Sequence, residues 1–311
     1  MLHFSVVIPL YNKAGFIEQT LKSVLDQSYQ EFEVIIIDDG STDSSVEKVR
    51  SFKDERIKLF QQENKGASEA RNKGVQLSSY EWIAFLDADD IWYGNHLKEL
   101  KKCIDTFPEV NVVSNAYEIA LENDFIKKPQ FSLPIPNQSF TIDDYFKYSL
   151  IDPLFWTSSI AVKKAAFDSI GGFDVNISSG QDTDLICRLA LNYRLAFNPK
   201  KTFLHLKHTE NNLSKSNYLD SRIKIIEKLK PEESHNHNLK KYLDINRFSL
   251  ALQAKIRKRK KMYRTLKTQI DLKNLSSKQK FLLNCPAWTL VLLKKVQKLL
   301  IKSGVYKSAF N

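Results

Sequence analysis

The chain has 311 residues, 42% of them hydrophobic and 11% aromatic, enough for a sizeable core and too apolar for a disordered polymer. Three cysteines, Cys103, Cys187 and Cys285, lie far apart without ligand spacing, which argues against a disulfide framework or a structural zinc site and fits a reducing compartment. The net charge of +11 is uneven: residues 230–311 carry 20 Lys and Arg against 4 Asp and Glu, whereas residues 1–229 carry 27 against 32. A slightly acidic body with a basic tail points to an anionic surface as partner.

The first residues lack a basic stretch followed by a long apolar one, so no signal peptide is expected. No run of about 18 apolar residues predicts a membrane span. FSVVI at 4–8 is β-branched and apolar, a buried strand that Pro9 is expected to stop. Residues 14–28 place Ile17, Leu21, Val24 and Leu25 on one helical face. Phe32 to Ile37 reads as a second buried strand, with Asp39-Gly40 as its turn and Ser41, Thr42 or Asp43 to cap a following helix. Ile57 to Phe60 is a third strand, 66–78 a helix and Trp82 to Leu86 a fourth strand. Alternation at these spacings suits right-handed crossovers and a parallel sheet, so residues 1–110 read as a nucleotide-binding α/β half. Strands at 110–119, 158–162 and 201–206 and a helix at 181–192 follow, in a less regular half that ends near 215. Beyond 216 the pattern becomes basic and helical.

Three acidic punctuations follow apolar runs: VIIIDDGSTD at 34–43, IAFLDADD at 83–90 and GQDTDLICRLA at 180–190. In open α/β sheets ligands bind beyond the carboxyl ends of the strands. An Asp cluster there needs a cation or many donors. Read as an extended segment, 87–90 puts Asp87 and Asp89 on one side, where two carboxylates can share a hard divalent cation. The plain alternative is a solvated acidic turn. For DDGSTDSS the plain reading is a strand–turn–helix junction. The functional one adds Asp39 as acceptor for a base or ribose donor. KGASEARNKG at 65–74 sets Lys65, Arg71 and Lys73 about a helix N-terminus, which attracts anions.

These motifs, in the order FSVVIPLYNK, VIIIDDGSTDSS, NKGASEARNKG, WIAFLDADD and GGFD…GQDTDLICRLA, resemble the inverting family 2 glycosyltransferases with a GT-A fold, over residues 4–215. The resemblance implies a GT-A-like α/β fold: a mostly parallel sheet flanked by helices, followed by a basic helical extension at 216–311. Pro9, Tyr11 and Asp39 then resemble the nucleotide-base pocket, and Arg71 a further donor contact. Asp87 is implied at the ribose or metal, and Asp89 as the main ligand of Mn2+ or Mg2+. Asp182 resembles the catalytic base of a Glu-Asp pair, with Gln181 standing where the family has Glu. A base at Asp182 is what the chemistry needs, since an acceptor hydroxyl attacks only as its proton is taken. One base without an enzyme nucleophile gives single displacement and inversion. Some relatives place a metal- or diphosphate-binding histidine near His208. Gly172, in a loop that borders sugar and acceptor in the family, joins Gln181 and Trp156 as acceptor-side candidates, although an aromatic like Trp156 is more often core.

Residues 288–302 separate on a helical wheel, with Leu292, Leu293, Val296, Leu299 and Leu300 on one side and Lys294, Lys295, Lys298 and Lys302 on the other. That is the pattern of an interfacial membrane helix, and KIRKRKK at 255–261 adds attraction to anionic lipid. A helix packing that stripe on the protein is the plain alternative. No nucleic-acid recognition module is present. The expected protein is a metal-dependent transferase of a sugar from a nucleotide donor, most simply a UDP-sugar, to a glycan on a lipid carrier, on the cytoplasmic face of the cell membrane. Two rivals stand beside it. A sugar nucleotidyltransferase should carry a Gly-rich, Arg-containing loop after the first strand, where this chain has PLYNKAG. A non-catalytic binding module is at odds with the presence of Asp87, Asp89 and Asp182 together.

Overall fold

The computed structural model describes residues 1–121, 126–207 and 218–302. Its contacts divide into two compact units. The first comprises 1–129, 134–143 and 154–213, and the second 130–133, 144–153 and 214–311.

In chain order the elements are β1 (Phe4–Leu10), α1 (Ile17–Leu25), β2 (Phe32–Asp38), α2 (Ser45–Ser51), β3 (Ile57–Gln61), α3 (Ala67–Leu77), β4 (Trp82–Phe85), β5 (Ile91–Trp92), α4 (His96–Thr106) and β6 (Val112–Ala120). Then come β7 (Ile126–Lys127), β8 (Phe140–Ile142), α5 (Tyr145–Tyr148), β9 (Ile160–Lys163), α6 (Lys164–Ser169), α7 (Gln181–Asn192) and β10 (Leu195–Leu206). The extension holds α8 (Tyr218–Leu229), α9 (His237–Ile256), α10 (Lys260–Gln269), α11 (Ser277–Asn284) and α12 (Ala287–Lys302).

The strands run β3-β2-β1-β4-β9-β6-β10-β5 across one sheet. The first four are parallel, and β6 and β10 are parallel to each other. Strand β9 lies between the two sets, antiparallel to both β4 and β6, and β5 is antiparallel to β10. Residues Val34 to Ile37 and Val6 to Ile8 are fully buried, as strands covered on both faces must be. Chain order reverses at β1: β2 and β3 lie on one side and β4 on the other. That is a topological switch point, where the strand ends open a crevice.

Two details differ from the sequence reading, each for a local reason. Strand β1 runs through Pro9 to Leu10. Val7 O accepts from Leu86 N and Leu10 O from Asp39 N, so odd residues of β1 face β4 and even ones face β2. Pairing with β4 ends at Val7, so the missing N–H of Pro9 falls where no partner strand remains. Strand β4 ends at Phe85, and 87–90 is a turn closed by Asp90 N on Asp87 O (3.0 Å). Strand alternation therefore does not set the directions of Asp87 and Asp89.

Helix α3 lies unusually close to β1. A Cβ on Gly74 would come within 2.4 Å of Val7 Cγ1, so only glycine allows this approach. The approach matters because Arg71 sits one turn earlier on the same helix.

In the second unit α5 packs on α9, with the Phe146 and Tyr242 rings 5.4 Å apart and Asn238 Nδ2 donating to Asp144 Oδ2 (2.8 Å). These contacts tie α5 to α9 within the helical unit, which takes in 144–153. The core of α9 carries charge: Asp244, fully buried, accepts from Arg247 Nη1 (2.9 Å), Lys240 Nζ (2.6 Å) and Asn274 Nδ2 (2.8 Å). Removing one partner would strand the others, so this cluster acts as a unit. All three cysteines are buried and free. Among the described residues no helix is long and apolar enough to cross a membrane.

Candidate active site

The carboxyl ends of β1, β2 and β4 come out on one edge, each followed by a loop of the predicted motifs. Near the end of β1 Pro9 is half-buried, and just past the strand the Tyr11 side chain is exposed, free to offer a ring face. Past β2, Asp39 is buried and committed to its own protein. Its Oδ1 accepts from Gln62 Nε2 and Lys65 N and its Oδ2 from Gly66 N, all at 2.8 Å. A carboxylate has about four lone-pair positions, so one is left for a ligand donor. The first duty of Asp39 is to pin the loop that starts α3. None of the expected caps takes the position: the N-cap of α2 is Ser44, whose side chain makes no cap bond, and Asp43, one residue earlier, accepts from Ser45 N at 3.0 Å.

The turn after β4 gathers three carboxylates with three fates. Asp87 is held by Arg71 Nη2 at 2.5 Å, and the Arg71 guanidinium lies 5.1 Å from the Phe173 ring centroid. Asp89 is held by Lys13 Nζ at 2.5 Å, with both side chains mostly shielded from solvent. Asp90 is fully buried and turns inward. It accepts from Ser158 Oγ (2.5 Å), His205 Nδ1 (2.9 Å) and Leu206 N (3.2 Å). Ser158 Oγ in turn accepts from Asp87 N (3.1 Å). A single buried carboxylate thus fastens the turn, the 157–159 loop and the end of β10. Burial pulls the His205 pKa down, but the Asp90 charge, with Asp87 and Asp89 behind it, outweighs burial and holds it above the ordinary histidine value.

Trp156 is half-buried and joins the same cluster, its ring centroid 4.6 Å from His205 and 5.6 Å from Tyr117. The core reading and the site reading of Trp156 therefore meet in one place. His208 lies outside the described residues, so the histidine seen at the turn is His205.

Helix α7 spans the predicted 181–192 and begins after Gly180. Asp182 is half-buried in its first turn, where the helix dipole favours a carboxylate, and Gln181 beside it is buried. Asp184, two residues on, has the structural part. It pairs with Arg188 (2.5 Å), and Arg188 also donates to Ile170 O and Gly172 O, both at 2.7 Å. Gly172 has φ 64° and a Cβ there would meet Asn72 Oδ1 at 2.7 Å. Asn72 receives the next residue by two bonds, Phe173 N to its Oδ1 and its Nδ2 to Phe173 O, both 2.9 Å. A continuous path of bonds therefore runs from Asp87 through α3 and the 171–173 loop to the first turn of α7. Gly172 is a packing position in this path.

Sequence reasoning passed over Lys13, Asp90, Ser158 and Arg188. The third acid of DADD was visible, but nothing in the sequence tells a buried acid from an exposed one.

The site suits a hard divalent cation in kind. Asp87 and Asp89 are oxygen donors on one turn, held by side-chain cations rather than by backbone amides, so they can be re-partnered. Among the described residues no group of three or more His, Cys, Asp or Glu gathers for a metal, so the remaining positions of an ion would fall to ligand oxygens and water.

The family described as glycosyl transferase family 2 matches residues 5–171, more than half of the chain, and the chain belongs to that family. Its fold is that of solved GT-A-like relatives. A structure of S. aureus TarS 1–349 in complex with UDP-GlcNAc superposes with TM-score 0.67 at 19% identity, covering 99% of this chain and 93% of that one. Among curated relatives, the E. coli UDP-Glc:alpha-D-GlcNAc-diphosphoundecaprenol beta-1,3-glucosyltransferase WfgD is 38% identical over 125 residues, 40% of this chain and 49% of its own. The Bacillus subtilis putative teichuronic acid biosynthesis glycosyltransferase TuaG is 36% identical over 156 residues, 47% of this chain and 58% of its own. These matches span about half the length of either relative.

Proposed function

We propose that the protein is a metal-dependent, inverting glycosyltransferase that moves a sugar from a UDP-sugar to a lipid-linked glycan in cell-surface polysaccharide synthesis. The observation that carries the reading is the turn 87–90 at the switch point, whose two carboxylates, Asp87 and Asp89, are held by the side-chain cations of Arg71 and Lys13. The UDP donor is supported by the TarS complex and by the name of the E. coli relative, which also specifies a diphosphoundecaprenol acceptor.

In this reading Tyr11 stacks on the base beside Pro9, Asp39 offers its remaining lone pair to the nucleoside, and Arg71 and Asp87 face the ribose and diphosphate. Mn2+ or Mg2+ at Asp89 and Asp87, with His208 as a further candidate ligand, supplies Lewis-acid neutralisation of the leaving diphosphate. Asp182 takes the proton of the acceptor hydroxyl as it attacks the anomeric carbon. The bond to the nucleoside diphosphate breaks as the new glycosidic bond forms, without an enzyme-bound sugar, and the configuration inverts. Trp156, Gly172 and Gln181 border the acceptor. Gln181 cannot ionise, so orientation of the acceptor beside Asp182 is left to an amide.

The protein would work at the cytoplasmic face of the membrane, bound peripherally through its extension. The described part of α12 supports this. Leu290 is buried, while Trp288 (69% exposed), Leu292, Leu293 and Val296 face outward beside Lys294 and Lys295. From Val291 to Val296 the helix is exposed on all sides, so Leu292, Leu293 and Val296 are uncovered there, while Leu290 is buried.

The test is a screen of nucleotide sugars for UDP release by the purified protein, with Mn2+, with Mg2+ and with chelator. Metal-dependent release from one donor, lost in Asp89→Ala, is the expected result. Release that ignores both chelator and Asp89→Ala would overturn the metal reading.

A further inference from the structure

Lys13 stands in the loop after β1, and its backbone is fixed from both sides. Asn12 N donates to Ser41 Oγ (3.0 Å), Lys13 N to Ser45 Oγ (2.9 Å) and Ala14 N to Asp43 Oδ2 (3.0 Å). Asn12 Oδ1 accepts from Thr42 N (2.7 Å). Asn12 has φ 49°, a left-handed conformation that asparagine tolerates better than other non-glycine residues, and these bonds hold it there. The result of these ties is to aim one side chain. The Lys13 ammonium lies 2.5 Å from Asp89 Oδ2 and 5.8 Å from the Phe16 ring centroid, with the lysine 13% and the aspartate 16% exposed. A pair so shielded escapes most of the screening that makes surface pairs weak.

The two cations at the turn differ in freedom. Arg71 is buried, planar and set against Phe173 on a helix pressed onto the sheet by Gly74. Lys13 has a fixed backbone but a flexible four-carbon stem, so its charge can leave Asp89 without any movement of the loop. A divalent ion and an ammonium on one shielded carboxylate repel each other strongly.

We infer that Lys13 is an internal counter-ion of Asp89, which neutralises the carboxylate before nucleotide and metal enter and must yield it to the divalent cation when they do. The inference rests on the metal reading above. It makes the lysine a competitor of the metal and a stabiliser of the metal-free protein. It also gives metal and donor a reason to enter together, because the anionic diphosphate of the donor can take up the ammonium that the metal displaces.

The experiment is calorimetric titration of Mn2+ alone, and of Mn2+ with UDP, into the wild type, Lys13→Gln and Lys13→Met, with thermal melting in parallel. The methionine keeps an apolar stem against Phe16 and covers the case in which Lys13→Gln does not fold. The uncharged variants should bind Mn2+ alone about tenfold more tightly than the wild type, the scale of one partly buried charge contact. They should melt lower than the wild type without metal and gain more from it. Equal or weaker Mn2+ affinity in both variants, with Mn2+ and UDP binding the wild type normally, overturns the lysine's role and leaves the metal reading standing. No Mn2+ binding by any form, even with UDP, overturns both.

Discussion

The ends of β2 and β4 both present carboxylates at the same sheet edge, yet they are built differently. Asp39 is held by two backbone amides and Gln62, whereas Asp87 and Asp89 are held by the side chains of Arg71 and Lys13. Backbone amides cannot leave without unfolding a loop, while a side-chain cation can swing away. The β2 end is therefore a fixture that shapes the pocket, and the β4 end is a set of exchangeable contacts. Helix α7 repeats the contrast: Asp184 is tied to Arg188 and holds the 170–172 loop, while Asp182 stays half-open to solvent.

The largest effect should come from the open member of the second pair. Asp182→Asn is expected to lower sugar transfer by about a thousandfold while leaving UDP binding unchanged, as rate assays and calorimetry would show. Equal loss of binding would make Asp182 a structural residue like Asp184. Asp89→Ala should lower metal-dependent transfer by about a hundredfold; because it also breaks the shielded pair with Lys13, it should lower the metal-free melting temperature modestly, as Lys13→Met does, and by less than Asp39→Ala. Asp39→Ala should do the reverse in kind. It strands two backbone amides and should cost about 2–3 kcal/mol of stability, read by denaturant unfolding. If Asp39→Ala and Asp89→Ala destabilise equally, the distinction between fixture and exchangeable contact fails. Gly172→Ala combines a left-handed φ with a clash on Asn72 and should cost about 1–3 kcal/mol by the same measurement.

The smallest effect concerns Glu33, buried in β2. Burial raises its pKa, but bonds from Lys58, Ser5 and Ser79 together outweigh that and hold it below the ordinary glutamate value. A carboxylate with a depressed folded pKa adds stability at neutral pH that is lost as pH falls through that value. Glu33→Gln should therefore melt below the wild type at about pH 7, and the gap should narrow as pH falls below about 4.

Much of the fold was legible. The runs Val6–Ile8, Val34–Ile37 and Trp82–Phe85 are apolar because both their faces are covered, and α7 falls on its predicted residues. The short β5 at Ile91–Trp92 and the antiparallel insertion of β9 were not legible, because strand partners are not encoded by periodicity. Nor was the capture of 144–153 by the helical unit, which depends on Phe146 meeting Tyr242 about a hundred residues away. At the site, the acids were found by their place after apolar runs, but their roles were not. Asp90 reads like Asp89 in sequence, and only burial and three donors make it a structural knot. The stripe on α12 was visible as a pattern, while the exposure of Leu292, Leu293 and Val296 beside a buried Leu290 depends on packing.

The sequence by itself determined the alternation of strand and helix, the acidic edge of the sheet, the first turn of α7 and the charge contrast between body and tail. These are local properties, set by residue type, periodicity and the chemistry of helix starts and turns. The tertiary structure alone decided which carboxylates are fixtures and which can change partners. That choice depends on what stands within about 3 Å of each oxygen, and Lys13, Arg71 and Gly66 reach those oxygens from separate loops and helices that only the folded sheet brings to one edge.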